Sequence, residues 1–370
     1  MFLSLATTGC VRPWIARPQL DALGQKETAA LRQRVLIFED PALFDYLGTL
    51  VPPFSPPIVI VRDPTLALFS TPGGEVVVHT GLLAVAQTEA QLAALLNHEI
   101  QHVARDDAFA AGEPDAVGQR LRPATTSRTA VAIFGLNLPL TARAAITGYG
   151  ARRERAADAA SLAALARAGM DPREAVAMYE ALAAQAARGG EREVFYFGNA
   201  RRLAERVASV RAWLSSRAPA EPGATKPAGP RVAPPEEFER RLRPVVLENA
   251  YEEMRQGRFD HARRGLERVA ATAPNEARLH LYYGELHRLE AQRVVASPAR
   301  EVELTQAGAA YERALALDPA LAEAHRQLGL LYYAMHDAER ARGELERYLA
   351  LSPPAPDAAR IGEYVTELAR

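Results

Sequence analysis

The stretch LAEAHRQLGLLYYAMHDAERARGELERYLALSP, from Leu321 to Pro353, decides the architecture of the second half of this chain. Leu328-Gly329, Tyr332, Ala341, Leu345, Tyr348 and Pro353 fall at the offsets of two antiparallel helices. A small residue stands where the helices cross, and a proline follows the second. The pattern occurs twice more upstream. An earlier unit carries Gly257, Ala262, Leu266, Val269 and Pro274. A middle unit has Gly284 on its first helix and Ala307, Tyr311, Ala314 and Pro319 on its second. The middle unit holds about ten extra residues around Ala291 to Glu301, which such arrays place in a loop or a helix extension. Each helix pair has an apolar face that it cannot bury alone, so three pairs stack and Asp357 to Leu368 caps the end.

These offsets resemble the tetratricopeptide repeat, a helix pair of about 34 residues; the alternative is a generic helical bundle. Working outward, residues 237–370 are expected to form an all-α tetratricopeptide-repeat solenoid. The stretch APAEPGATKPAGPRVAPP, Ala218 to Pro235, cannot build a core and marks a linker over 217–236. Residues 20–216 mix strand and helix patterns, and residues 1–19 are expected to be the remnant of a lipoprotein signal and an N-terminal linker. Pro57 to Arg62 reads as a β-branched strand, and Leu66 to Ser70 and Glu75 to His79 flank the turn Thr71-Pro72-Gly73-Gly74. A helix starts at Thr88, which has capping-box spacing to Gln91, and bears the apolar stripe Leu92, Leu96, Ile100, Val103. Another runs from Gly150 to Ala168 and is closed by Gly169; the next starts with Asp171 as N-cap and Pro172 in its first position. The front domain is therefore α+β, mostly helical, with one small sheet.

Composition excludes several classes. The 44 basic and 45 acidic residues leave a net charge of −1, without the basic excess of a nucleic-acid protein. No run of ~18 apolar residues is present to cross a bilayer repeatedly. A single cysteine excludes an internal disulfide framework. That cysteine, Cys10, follows Phe2-Leu3-Ser4-Leu5-Ala6-Thr7-Thr8-Gly9, which resembles the tail of a bacterial lipoprotein signal. Cys10 is thus the expected lipidation site, and membrane contact is expected only through that anchor.

The helix from Thr88 carries His98-Glu99-Ile100-Gln101-His102. Histidines at i and i+4 lie one turn apart on one face, so two imidazole nitrogens can meet one zinc ion. Glu99 lies beside them, placed to take a proton from water. Two ligands do not complete a catalytic site. On the next helix Glu154 and Asp158 are also i,i+4, and two carboxylates on one face repel each other unless a cation lies near. Zinc held by Glu154, with Asp158 orienting a ligating imidazole, explains the pair. A surface helix neutralised by Arg152, Arg153 and Arg155 explains it equally well.

Taken together, Pro72-Gly73-Gly74, Gly81-Leu82-Leu83, Glu89, Leu92-Ala93, His98-Glu99-x-x-His102, Glu154-x-x-Ala157-Asp158 and Ala168-Gly169-Met170-Asp171-Pro172 resemble the HtpX-like zinc metallopeptidases. The similarity runs from about Asp40 to Val210 and, with the repeats, is greatest to the soluble periplasmic BepA-like branch. The resemblance implies a zincin-like fold and one zinc per chain, bound by His98, His102 and Glu154. It implies Glu99 as the base, protein or peptide substrates, and a role in envelope protein quality control. It also implies a periplasmic location, with Cys10 suggesting an outer-membrane lipoprotein. The repeats are expected to recruit substrate or a protein partner in their groove, or to cover the active site. Peptidases of this general kind bind substrate as an added strand, and Glu75, Val76, Val77, Val78 and His79 are the candidate edge; His79 itself reads as structural.

Two departures qualify the resemblance. Leu66-Ala67-Leu68-Phe69-Ser70-Thr71 lacks the family's asparagine before Pro-Gly-Gly. Ala200 replaces a histidine that precedes Glu205-Arg206-Val207, and that histidine can approach the metal in the family. Tyr196, Asn199 and Arg153 are the candidate substitutes. The competing function is a catalytically weak or inactive scaffold or chaperone that acts through its repeats.

Overall fold

The structure, a computed structural model, describes residues 17–107, 138, 141, 149–189, 200–216, 233–294 and 298–369. Cys10, Tyr196, Asn199 and most of the expected linker lie outside the described residues. The front half contains α1 (Arg17–Arg32), α2 (Pro41–Thr49), β1 (Ile58–Val61), β2 (Leu68–Ser70), β3 (Val76–His79), α3 (Thr80–Val85) and α4 (Glu89–Ala104). Then come α5 (Ala151–Arg167), α6 (Glu174–Gly189) and α7 (Ala200–Ser215). No helix among the described residues is long and apolar enough to cross a membrane.

Alternation along the strands sends successive side chains to opposite faces of the sheet. Val59, Val61, Phe69 and Val77 bury against Leu31 and Val35, from α1 and just beyond it. Ile60, Leu68, Val76 and Val78 face the larger core with Leu92 and Leu96 of α4. The strand order is β1-β3-β2, with β1 parallel and β2 antiparallel to β3.

That order corrects the substrate-edge assignment. Glu75 to His79 forms the central strand and its approach, not an edge. The hairpin signal reveals only the β2 partner. The return of β1 on the other side, with Val59 opposite Val77, is a long-range pairing with no local signature. The outer side of β1 is itself engaged, since Phe38 N–H donates to Ile60 and Arg62 N–H donates to Leu36. On β2, Ala67 and Thr71 pair towards β3. The alternating residues Leu68 and Ser70 therefore turn their backbone groups the other way.

Thr88 caps α4 by accepting the Gln91 N–H. The return bond differs from a full capping box, because the Gln91 side chain accepts from Gln87 N–H instead. Helix α6 begins at Glu174, later than expected, because the Asp171 carboxylate accepts the Arg173 N–H and closes a turn first.

The rear half holds α8 (Pro235–Arg255), α9 (Phe259–Thr272), α10 (Ala277–Arg293), α11 (Pro298–Leu317), α12 (Ala322–Ala334), α13 (Ala338–Leu351) and α14 (Ala358–Leu368). The helices pair α8 with α9, α10 with α11 and α12 with α13, and α14 packs on α13 as the cap. Much of the middle unit's extra length lengthens α11. Glycine is needed at two crossings. A Cβ on Gly284 would lie 2.3 Å from the Tyr311 ring, and one on Gly329 would lie 2.7 Å from Leu345.

The halves share a continuous core. Helix α8 packs on α3 and α2. Arg62 pairs with Glu248 at 3.2 Å, and Arg268 donates to the Ala84 carbonyl at 2.8 Å. Glu89, at the start of α4, accepts the Ala233 N–H. The repeats thus seat against the N-terminal end of α4, while the histidines occupy its other end.

Candidate metal centre

Three donor atoms converge between α4 and α5. The His98 Nε2 and His102 Nε2 atoms lie 3.0 Å apart. Glu154 Oε2 lies 3.3 Å from the first and 3.6 Å from the second. Zinc bonds of ~2.0–2.1 Å in a tetrahedron require ligand-to-ligand edges of about 3.3–3.4 Å. The triangle fits such an ion.

The outer partners strengthen that fit. Asp158 Oδ1 lies 2.9 Å from His98 Nδ1, and Asp107 Oδ2 lies 2.8 Å from His102 Nδ1. A carboxylate beside each Nδ1 orients the two rings and turns both Nε2 atoms toward one another, and Arg206 Nη2 lies 3.2 Å from His98 Nε2. Glu154 divides its carboxylate, because Oε1 accepts the Tyr149 N–H at 2.8 Å while Oε2 turns to the histidines. The backbone bond therefore holds the third donor in place at the start of α5.

Glu99 stands just outside the triangle, with Oε1 3.9 Å from His98 Nε2. Burial pushes its carboxyl above the ordinary value; the two histidines pull the other way, and the Glu154 charge adds to the rise. Burial opposes charge on Glu154 and Asp158 too. The histidines hold Glu154 far below the usual carboxylate range, and Arg206 and His98 do the same for Asp158. Glu99 is thus pushed toward its protonated form beside two carboxylates held ionised.

Asp107, Tyr149 and Tyr179 escaped the sequence reading, which also gave Arg206 no role beyond its place in Glu205-Arg206-Val207. Asp107 lies five residues past His102, and Asp106 turns the chain back with φ +53°. The Tyr149 ring lies tilted by 40° against His102 with ring centres 4.3 Å apart, and its hydroxyl bonds Ser70 on β2 at 3.0 Å. Arg206, on α7, reaches Asp158 at 2.7 Å, Tyr179 at 2.6 Å and His98 Nδ1 at 2.9 Å. Tyr179 donates to Asp158 at 3.0 Å and lies under the Arg206 guanidinium. Arg153, a candidate substitute for the missing histidine, is instead committed to Asp107 at 3.0 Å. Ala200 opens α7, six residues before Arg206.

His79 plays the structural part expected of it. It is wholly buried, with Nδ1 2.7 Å from the Thr65 hydroxyl and 3.7 Å from Asp63, and burial lowers its pKa. In the repeat half, His287, Glu290 and Glu303 gather closely. There Arg263 holds Glu290 and His287 holds Glu303, so the acids are already matched.

A helical domain with a small sheet, a buried His-Glu-x-x-His group and a third carboxylate from the following helix define a metallopeptidase-type domain. Residues 51–227 match peptidase family M48, and residues 296–366 match a tetratricopeptide repeat family. The chain carries a family M48 peptidase domain joined to tetratricopeptide repeats. It is 30% identical over 164 residues to a Vibrio cholerae relative named as a beta-barrel assembly-enhancing protease, covering 38% of this chain and 33% of that one. The beta-barrel assembly-enhancing protease of Escherichia coli is 26% identical over 187 residues, covering 44% and 37%. The chain thus spans about a third of the length of the curated relatives it matches. A tetratricopeptide-repeat protein of Thermus thermophilus of solved structure is 19% identical, covering 36% and 71%, with a TM-score of 0.30.

Proposed function

We propose that this chain is a zinc-dependent endopeptidase that hydrolyses peptide bonds of protein substrates in envelope protein quality control. The observation that carries the reading is the 3.0, 3.3 and 3.6 Å triangle of His98, His102 and Glu154, with Glu99 beside it. Zinc, when bound, supplies a Lewis acid that makes water acidic near neutrality and polarises the scissile carbonyl. Glu99 takes the proton of the attacking water and returns it to the leaving amine. Asp158 and Asp107 hold the imidazoles in their ligating tautomer. Arg206 keeps Asp158 against His98 and, with Nη2 3.2 Å from His98 Nε2, is the cation we assign to the oxygen on which charge develops. Loss of one such donor costs about 3–4 kcal/mol, so Arg206 bears on what the absence of a histidine at Ala200 means. The outward side of β2, joined to the centre through Ser70 and Tyr149, is the strand on which substrate aligns.

The repeats recruit substrate or a protein partner. The relatives' names point to outer-membrane assembly, hence to the periplasm, with Cys10 as the anchor. Mass spectrometry of membrane-purified protein should then find a diacylated Cys10; an unmodified soluble chain removes the anchor from the proposal.

Ala200 favours a second reading, a scaffold or chaperone that keeps the metal for folding. Casein digestion by wild type and Glu99→Gln, with bound zinc quantified in both, separates the two. Cleavage by wild type alone, with one zinc in each, supports the peptidase. Zinc in both without cleavage supports the scaffold. Absence of zinc from both overturns the ligand set.

A further inference from the structure

Tyr149 stands between the candidate metal centre and β2, and it is 4% exposed. Three parts of it meet three different elements. Its backbone N–H donates to Glu154 Oε1 at 2.8 Å, at the start of α5. Its ring centre lies 4.3 Å from that of His102, near the end of α4. Its hydroxyl meets the Ser70 hydroxyl on β2 at 3.0 Å. Gly150 makes the first of these contacts possible. It precedes α5 with a φ of +91°, a left-handed turn that glycine adopts without strain. The turn brings the Tyr149 N–H back onto the Glu154 side chain.

The Ser70 end is equally constrained. Helix α4 packs on β2. Side chains alternate along the strand, so Ser70 shares the inner face of Leu68, and it is 2% exposed. Its backbone groups turn away from β3, to the side where an added strand pairs. One residue of β2 thus faces a peptide with its backbone and faces Tyr149 with its side chain. Two buried hydroxyls that satisfy each other are replaceable by two apolar groups at little cost in stability. Geometry is more demanding, since a misplacement of ~1 Å between reacting groups costs ~100-fold in rate.

We propose that Tyr149 is a positioning residue, which through Ser70 sets the distance between a peptide paired on β2 and the metal ligands His102 and Glu154. The proposal rests on the reading that substrate aligns on β2, and it names what fixes that alignment to the centre. Tyr149 needs no contact with the peptide. It acts by holding the strand and the two ligands to one side chain.

The test reads binding rather than turnover. Zinc-loaded full-length protein is titrated by calorimetry with acetohydroxamate, with an unstructured casein peptide, and with the same peptide ending in a hydroxamate. The linked ligand spans strand and metal at once, so it should bind more tightly than either part, by an advantage that depends on their separation. Tyr149→Phe and Ser70→Ala each remove the bond between the hydroxyls and leave the Tyr149 N–H for Glu154. Both should keep wild-type affinity for zinc and acetohydroxamate. In each, the linked ligand's advantage should fall about tenfold or more, and no further in the double variant. The melting temperature separates position from stability. Each single variant strands one buried hydroxyl, whereas the double variant strands none and should melt close to wild type. Return of the advantage together with the melting temperature would overturn the proposal and leave the bond a structural one. An undiminished advantage in both single variants would overturn it as well, with the peptidase reading intact. A wild-type protein that binds acetohydroxamate but gives the linked peptide no advantage places no strand beside the metal, which refutes the alignment on β2 and the proposal together. Failure of acetohydroxamate to bind removes the metal centre itself.

Discussion

Helices α4 and α5 meet through charge, and helices α10 and α11 meet through shape. In the first pair, Glu154 and Asp158 reach across to His98, and the Ser161 hydroxyl donates to the Ala94 carbonyl. In the second, Gly284 makes room for the fully buried Tyr311 ring, whose hydroxyl finds Glu285. The polar contact is high-stakes, since buried ionisable groups left unmatched cost several kcal/mol. The Gly284–Tyr311 crossing depends on volume, and its one buried carboxylate, Glu285, is already matched by Tyr311 and Arg288. A metal therefore bears on the first interface, whereas the crossing at Gly284 is set by packing.

The sharpest way to break this contrast is Glu154→Gln. The amide keeps an oxygen for the Tyr149 N–H but loses the charge that faces both Nε2 atoms. Zinc affinity should fall by more than the ~10–100-fold that outer partners control, and any peptidase activity should go with it. Metal titration by calorimetry and far-ultraviolet dichroism read the two consequences separately. Repeat helicity should be untouched. Retention of wild-type zinc affinity would refute the ligand assignment.

Next in size are the orienting carboxylates. Asp107→Asn and Asp158→Asn should each weaken zinc by ~10–100-fold without removing a ligand. Asp158→Asn should be the worse of the two. It also strands Arg206, which is buried against Asp158 and Tyr179, whereas Asp107 shares its charge with the half-exposed Arg153. Equal losses would show that Arg206 does not depend on Asp158.

These two sites also mark what could be read from the chain. His98, Glu99 and His102 are legible because i,i+4 spacing is local, and Glu154 with Asp158 repeats that spacing on the next helix. The repeats are legible for the same reason, since a small residue on the first helix and a proline after the second recur in the last two units, as Gly284 with Pro319 and Gly329 with Pro353. Arg206 is not, because it meets His98 across 108 residues of separation, and no pattern in its own helix announces the partner. Asp107 is hidden by the turn at Asp106. The central place of β3 was illegible because the parallel return of β1 leaves no mark on the hairpin.

Shape can be tested at Gly284. Alanine is the better helix former by about 1 kcal/mol, but its Cβ would sit 2.3 Å from Tyr311. Overpacking costs ~1–3 kcal/mol, so the clash wins and Gly284→Ala should lower the melting temperature with zinc affinity unchanged. Gly343 is the control, because a Cβ there meets nothing within 4 Å. Gly343→Ala should stabilise by the helix-propensity difference alone. The same sign at both positions would mean that propensity, not packing, governs the repeats.

The smallest effect lies where charge intrudes on the shape-built half. Burial, reinforced by the Glu323 charge, raises the Glu248 pKa, although Arg62 and Arg278 oppose it. A carboxyl with a raised folded pKa favours the protonated form in the native state. Its contribution to stability is full below the ordinary value of ~4.3. That contribution is lost as pH climbs through the raised one. Glu248→Gln stays neutral throughout, so the variant's melting temperature should change less than wild type's between pH 5 and 8. The substitution also removes the 3.2 Å pair with Arg62, whose side chain is 40% exposed. Such a pair is worth about 0–1 kcal/mol, which keeps the net change at any one pH small. The slope, not the midpoint, is therefore the informative quantity. A variant with wild type's slope would show that Arg62 holds Glu248 ionised, making the contact between the halves electrostatic like the metal centre.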